Sequence, residues 1–336
     1  MRIVTLHHPG FVATFRKLGH DVLSIGTTPD CDVHLTEPLS CMRFLDLLRA
    51  KALIPDLILW SDACQLPWVF GFHTLPSVVI GFSVDQYMNP WHIPYSAAFD
   101  TLFVAQKDYL PLFAASPTNR PARWMPLFCD ASYDRDQEVS RDIPVSFVGT
   151  LQSPANPQRK PFLDAFRANA PLFATSGRYV PIFSRSQIVL NQSAAGELNY
   201  RLFQAMACGA CLLTEDTSNG LSDLFTPGED LLTYRRGDAG HAAAVARAAL
   251  AHPERLAAMA ANAKRKTLAR HTVVSRARQI LDTAVELAAS GAPTRRLAAM
   301  ERVEPLLRKA YVILAADNDL PLSLEERKFY YALSDQ

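Results

Sequence analysis

Residues 191–215 read NQSAAGELNYRLFQAMACGACLLTE, and the order of residue types in this stretch decides how the rest of the chain is read. An apolar run, 187–190, ends in Asn-Gln-Ser-Ala-Ala-Gly; Leu198, Leu202, Phe203, Ala205 and Met206 then recur on one face at helical spacing. Gly209 can close that helix in the left-handed conformation, and residues 210–213 are again short and apolar. The pattern predicts strand, loop, helix, strand. A loop that feeds a helix leaves backbone N–H groups unpaired at the positive end of the helix dipole, a place suited to a phosphate. Asn199 and Arg201, a neutral donor and a permanent cation, stand in the first turns of a helix otherwise built for burial.

Upstream, the same rhythm appears twice. Residues 2–6 read as a strand, 11–18 as a helix closed by Gly19, and 21–25 as a second strand. The intervening loop lacks G-x-G-x-x-G, which disfavours a dinucleotide oxidoreductase. An amphipathic helix is expected over 38–52, with Leu39, Met42, Leu45, Leu48 and Leu53 in register. The apolar runs 57–60, 77–82 and 101–105, with 123–125 after them, suit a parallel sheet covered on both faces. Residues 130–142 (DASYDRDQEVSRD) are almost wholly polar and read as a linker, after which 145–150 is strand and glycine turn again. A helix over 160–167, the opening stretch and a strand over 231–234 complete a second half. From Asp238 onward the chain reads as helix: 241–251, 254–269, 273–289, then, past a break at 290–294, 296–316 and 324–333. The expected architecture is α/β, with two doubly wound domains whose strand carboxyl ends line a cleft. Its parts are an amino-terminal domain over 1–130, a linker over 131–143, a second domain over 144–292 and terminal helices over 293–336.

With 336 residues there is sequence for two cores, and 49% apolar with 20% charged residues is a globular composition. A net charge of +1 gives no reason to expect a nucleic-acid partner, and no segment is long and apolar enough for a membrane span. With no leader-like segment at the start, a cytoplasmic location is expected. The six cysteines are scattered, Cys64 among them. Cys208 and Cys211 match a C-x-x-C spacing, but small buried residues bracketing a turn explain them better than redox or zinc chemistry.

Candidate chemistry gathers at strand ends. Gly149 and Thr150 end a strand where glycine lets backbone approach a ligand, and Arg159 and Lys160 follow one loop later. Arg201 and Asn199 come from the helix of the opening stretch, and Asn219, Gly220 and Leu221 from the loop after the next strand. Together they would suit a diphosphate, for which a bidentate arginine is well matched. Arg201 could instead pair with Glu197, four residues earlier. For acid–base work, Asp85 and His92 flank the segment after one strand; Asp62, His7 and His8 hold similar places, all open to turn or capping roles as well. Two D-x-D pairs, Asp30/Asp32 and Asp134/Asp136, are too short a signal to imply a metal. The basic cluster 264–266 reads as a solvated helix face.

The segments FVAQKDY (103–109), WMPLFCD (124–130), VSFVG (145–149), VLNQS (189–193) and NYRLFQAMACG (199–209) occur in the order of the CgeB-type (spore maturation protein-like) glycosyltransferases, which the chain resembles over about residues 55–285. These belong to the GT-B group. The resemblance implies two facing Rossmann-like domains and a nucleotide-diphosphate sugar as co-substrate, bound mainly by the second domain, with the acceptor on the first. It also implies no other cofactor, no obligatory metal, and terminal helices that return to the first domain. By that likeness Arg201 and Asn199 contact the donor diphosphate, Gly149 and Thr150 line it, and Asn219, Gly220 and Leu221 close it. Such proteins place glutamate before Ala-Met-Ala, where it accepts from the donor ribose, and often another eight residues earlier. Here the positions hold Gln204 and Gly196, with Glu197 one place off.

The expectation is therefore a metal-independent glycosyltransferase acting on an unidentified acceptor. Arg201 and Arg159 would hold the phosphates, and Asp85 or His92 would be the base if the reaction inverts. The alternatives are a non-catalytic module that binds sugar nucleotides, which Gln204 favours, and a sugar-nucleotide epimerase or hydrolase on the same fold.

Overall fold

The computed structural model describes residues 1–7, 9–62, 66–114, 122–320 and 322–335. His8 and Cys64 lie outside them. The chain divides into two compact units, Met1–Met125 with Ala277–Gln336, and Pro126–Arg276. The second division falls inside the helix Val273–Ala289.

The first unit is built on seven parallel strands: β1 (Arg2–Leu6), β2 (Asp21–Gly26), β3 (Val33–His34), β4 (Leu57–Ser61), β5 (Val78–Ser83), β6 (Thr101–Val104) and β7 (Ala122–Trp124), in the order β3-β2-β1-β4-β5-β6-β7. Central strands such as Leu57–Ser61 are buried on both faces, which is why they read as unbroken apolar runs. The helix of 38–52 is shorter, Cys41–Ala50, because Ser40 adopts extended backbone and its hydroxyl accepts the Arg43 N–H at 3.4 Å. Its inward stripe is Phe44 and Leu48; Met42, placed in register from the sequence, is 72% exposed. A stripe centred on Phe44 buries the larger side chain.

The carboxyl-terminal helices complete this unit's core. Val303, Leu307, Tyr311 and Leu314 of Met300–Ala316 pack in the same apolar cluster as Trp60, Trp91, Tyr95 and Phe99. The break expected at 290–294 is the start of a helix, Ala292–Ala298, since proline is accepted in a first turn where its missing N–H is not needed. That helix carries Arg296, fully buried, whose guanidinium pairs with Asp100 and donates to the carbonyls of His73, Leu75 and Ser77. Arg123 and Glu286 add a bidentate pair at 2.8 and 2.6 Å. The terminal helices thus return to the amino-terminal domain, as the fold class implied.

The second unit has five parallel strands, β8 (Ile143–Val148), β9 (Phe173–Thr175), β10 (Ser186–Leu190), β11 (Cys211–Glu215) and β12 (Leu232–Tyr234), in the order β12-β11-β10-β8-β9. The expected strand, loop, helix, strand runs through β10, the helix Tyr200–Ala207 and β11, with Gly209 closing the helix at φ 77°. β9 and the helix Val180–Arg185 carry too little periodicity to be read from sequence. Because β9 takes the edge beside β8, while β10, β11 and β12 extend from its other side, the winding reverses between β8 and β10. Ligands of open α/β sheets bind at the carboxyl ends of strands flanking such a reversal.

Candidate functional site

Arg201 occupies that reversal. From the first turn of Tyr200–Ala207 its Nε donates to the Val148 carbonyl at the end of β8, at 3.0 Å, and its Nη1 donates to Asn191 Oδ1 just past β10, at 2.8 Å. The guanidinium lies over the Phe147 ring, 4.4 Å from the centroid, and Arg159 shares that ring at 5.6 Å. Arg159 donates to Gln192 Oε1 and the Thr150 carbonyl, both at 3.0 Å. Burial, and then the charge of Arg159, lowers the Arg201 pKa to about 10, leaving it protonated at neutral pH. The alternative pairing with Glu197 is not what holds it. The Glu197 carboxylate accepts from Ala194 and Ala195, at 3.0 and 2.7 Å. Among the described residues its hydrogen bonds go to a carbonyl and a carboxamide and no carboxylate makes an ion pair with it, although the charge of Glu197 favours its protonated form.

Gly149 is explained by the same arginine. A Cβ there would lie 2.3 Å from Arg201 Nη2, so the glycine admits the guanidinium, where a close approach to ligand was expected. The loop N–H groups likewise differ from expectation. Ser193 and Gly196 give theirs to Glu215 and to the Ser193 hydroxyl, and Ala194 and Ala195 give theirs to Glu197. Positive charge at this site therefore comes mainly from side chains. Asn199 is the N-cap of the helix, in extended backbone and outside the first turn; its Oδ1 makes no capping bond and is buried without a partner. Thr150 is exposed, and Lys160 turns to Asp164 at 2.6 Å.

Asn219, Gly220 and Leu221 follow β11 in a loop tied back to the opening stretch: Asn219 Nδ2 and the Thr217 hydroxyl both donate to the Gly196 carbonyl, at 3.4 and 2.9 Å. Gly220 takes φ 88°, and the Leu221 side chain is fully buried, so of these three residues Asn219 alone has a polar side chain to offer a ligand. Gln204, one turn beyond Arg201, belongs to another cluster. Its Nε2 donates to the Tyr179 hydroxyl at 2.9 Å, and Tyr179 donates to Asp134 Oδ1 at 2.7 Å. Burial raises both the Tyr179 and the Asp134 pKa. What Tyr179 presents to position 204 is a lone pair, which an amide N–H can use and a carboxylate cannot.

Asp85 and His92 lie in the first unit, linked through Asp62. Asp62 Oδ2 accepts the Asp85 N–H at 2.9 Å and stands 3.8 Å from His92 Nε2. His92 is 2% exposed, its Nδ1 2.8 Å from the Ser83 hydroxyl, and burial lowers its pKa to about 3. Three of the four D-x-D carboxylates are engaged by protein donors: Asp32 by Arg16 and Ser24, Asp134 by Tyr179 and the Asp130 N–H, and Asp136 by Arg141 and Lys264. Cys208 and Cys211 are buried free thiols pushed up to about 12 by desolvation. Asn191, Gln192 and Phe147 were not singled out from the sequence. For Asn191 and Gln192 the signal was a polar Asn-Gln pair placed directly after the apolar Ile-Val-Leu of 188–190, and Phe147 carried none.

No curated protein matches the chain in sequence. Residues 139–282 match the family described as Glycosyl transferase-like. Among solved structures, a glycosyltransferase from Rickettsia africae aligns with a TM-score of 0.66 at 6% identity, over 85% of this chain and 98% of that one. HepE from Anabaena in complex with UDP-glucose aligns at 0.64 and 13% identity, over 85% and 100%. A sucrose-phosphate synthase from Thermosynechococcus elongatus aligns at 0.60 and 14%, over 86% and 100%. At these identities the likeness is one of fold. No helix among the described residues is long and apolar enough to cross a membrane. Residues 139–282 thus match a glycosyltransferase-like family, and the chain has the α/β fold, with two parallel sheets, of solved GT-B glycosyltransferases.

Proposed function

We propose that the protein is a glycosyltransferase, akin to the CgeB-type enzymes, that moves a sugar from a nucleoside-diphosphate sugar to a hydroxylated acceptor without a metal ion. The observation that carries this is Arg201. It is a desolvated cation at the winding reversal of its sheet, held by the neutral groups of Val148 and Asn191, beside a second arginine on the same ring. A diphosphate supplies the missing counter-charge, and a guanidinium meets two of its oxygens at once. As the glycosidic bond to phosphate breaks, negative charge grows on the leaving group, and a donor already in place lowers the barrier without reorganising. Arg201 is the first such donor in this reading and Arg159 the second. Asn199 Oδ1, unpartnered at the helix start, is available to a sugar hydroxyl. The Asn219 loop closes the site, and the Gln204 Oε1 is left to accept from the donor ribose. Asp85 or His92 would serve as base only in an inverting reaction. Cysteines kept as free thiols fit the reducing cytoplasm.

Gln204 was the feature favouring a non-catalytic binding module. Its bond to Tyr179 supplies a local reason for glutamine, which supports the catalytic reading over that one. The test is a panel of nucleotide sugars incubated with the protein, with release of free nucleoside diphosphate as readout. The reading expects turnover of at least one donor, and saturable binding without release from any donor would overturn it.

A further inference from the structure

Three features of the sequence that the proposed donor site does not use meet in the folded second unit: Asp136 of a D-x-D pair, Lys264 of the basic cluster, and Gly209, which closes the helix Tyr200–Ala207. They line a cavity of about 440 Å³, a volume typical of small-ligand sites. One wall is the helix Pro253–Arg270, which presents Pro253, Ala257, Ala260 and Lys264 along one face. The other is formed by Asp136, Arg141 and Gly209, the last two standing just before β8 and β11. The cavity therefore lies at the amino ends of the strands, whereas Arg201 sits at their carboxyl ends.

One carboxylate oxygen serves two cations. Asp136 Oδ2 accepts from Arg141 Nη2 at 2.9 Å and from Lys264 Nζ at 3.2 Å. Arg141 also donates to the carbonyls of Phe183, Ser186 and Cys208, at 3.2, 2.9 and 3.1 Å, which fixes its guanidinium. A Cβ at Gly209 would stand 2.4 Å from Asp136 Oδ2 and 2.5 Å from Arg141 Nη2, so the ion pair seats there only over glycine. Lys264 is less constrained. Asp136 is the one partner of its ammonium among the described residues, its side chain is 33% exposed, and an ammonium has three donors. At this position the solvated helix face expected for 264–266 is the edge of a cavity.

Charge and shape narrow the ligand. Two cations and one carboxylate leave one positive charge, which matches a monoanion; a phosphate monoester, with about two negative charges, would bring an excess beside Asp136. From Pro253 to Lys264 the helix runs about 16 Å along its axis. Spread over that length, 440 Å³ leaves a cross-section of about 27 Å², a width suited to an unbranched chain. Between its ends the helix wall is Leu256 and alanines, which offer apolar surface and no hydrogen-bonding side chain. We propose that this cavity binds an unbranched alkyl carboxylate, its head on Lys264 and its chain along Ala260 and Ala257 toward Pro253. The site is separate from the donor site and does not depend on that reading.

The test is calorimetric titration of the full chain with decanoate below its micelle concentration, with butyrate and decyltrimethylammonium as comparisons. Saturable decanoate binding is expected, with butyrate and the alkyl cation each at least about tenfold weaker. Lys264→Met should weaken decanoate binding about tenfold by removing the contact to its head. Ala257→Leu should do the same by filling the groove; position 257 is exposed and leucine is a good helix former, so the fold is kept. No saturable binding of decanoate would overturn the proposal. So would binding that either variant leaves intact, or that butyrate or decyltrimethylammonium matches. If Lys264→Met fails to fold, Ala257→Leu decides alone. A protein that binds decanoate in this way but binds no nucleoside diphosphate would sink the donor assignment and leave this site standing.

Discussion

Replacing Gly149 with alanine separates a glycine kept for a cation from one kept for a ligand. The added Cβ would stand 2.3 Å from Arg201 Nη2 and 3.4 Å from both Arg201 Cζ and Phe147 Cε1. Only the first contact is intolerable, and relieving it requires the guanidinium to withdraw by about 1 Å. A free side-chain end could do so cheaply. This one is pinned by Nε to Val148 and Nη1 to Asn191, at 3.0 and 2.8 Å, so withdrawal breaks or stretches both bonds. Hydrogen bonds to charged groups contribute about 1.5–3 kcal/mol each; with partial recovery by water, a net loss of about 2 kcal/mol in stability is expected. The displaced cation should weaken nucleoside-diphosphate binding by roughly tenfold to a hundredfold, or about 1.4–2.8 kcal/mol. Denaturant melts and calorimetry measure the two quantities. The decisive arm is a double-mutant cycle: once Arg201 is alanine, Gly149→Ala has nothing to strike and should cost less than about 0.5 kcal/mol in either. Equal losses in both backgrounds would refute the reasoning, because the glycine would then be serving the ligand directly.

Other expectations follow from the same geometry. Gln204→Glu should destabilise the second unit by about 1–3 kcal/mol, because a carboxylate would face the Tyr179 oxygen while Asp134 holds its proton, and Asp134→Asn should recover part of the loss; urea melts of the single and double variants would show it. Arg296→Met leaves Asp100 buried without its cation and should cost about 3–5 kcal/mol, read as a lower Tm, while the double variant with Asp100→Asn should melt closer to wild type. Acid should destabilise the fold through its neutral histidines. His7 and His92 are held near a pKa of about 3 and His271 near about 4, all below the ordinary 6.5, so the unfolded chain binds more protons throughout that window. Their contribution is complete above pH 6.5 and lost progressively toward pH 3, and a midpoint that rises on acidification would contradict it.

The fold was legible where burial writes a simple pattern. Leu202, Phe203 and Met206 announced their helix because all are inward-facing, and residues 57–60 announced their strand because both faces are covered. Short elements such as Phe173–Thr175 were not legible, since three residues carry no period. Met42 shows the limit of counting: an apolar residue at helical spacing can still face water, and only Phe44 reveals which stripe wins. In the site, residue types pointed to the right loops, but their interplay was hidden. Gly149 and Arg201 are 52 positions apart, so nothing local says that one makes room for the other. Gln204 looked like a missing acid, because its reason, Tyr179 backed by Asp134, comes from distant segments. His7 looked like any residue after a strand, since its strain and unbonded nitrogens exist only in the folded chain.

Arg201 makes no ion pair among the described residues, and the proposed function has a nucleoside diphosphate supply its counter-ion. Calorimetric titration of UDP, GDP, ADP and dTDP into wild type and Arg201→Ala tests this most directly, with Arg185→Ala as control, since Arg185 is exposed and paired with Asp142 in the same unit. At least one nucleotide should bind wild type and the control equally, and Arg201→Ala at least about tenfold more weakly. Equal affinity in all three proteins would contradict it.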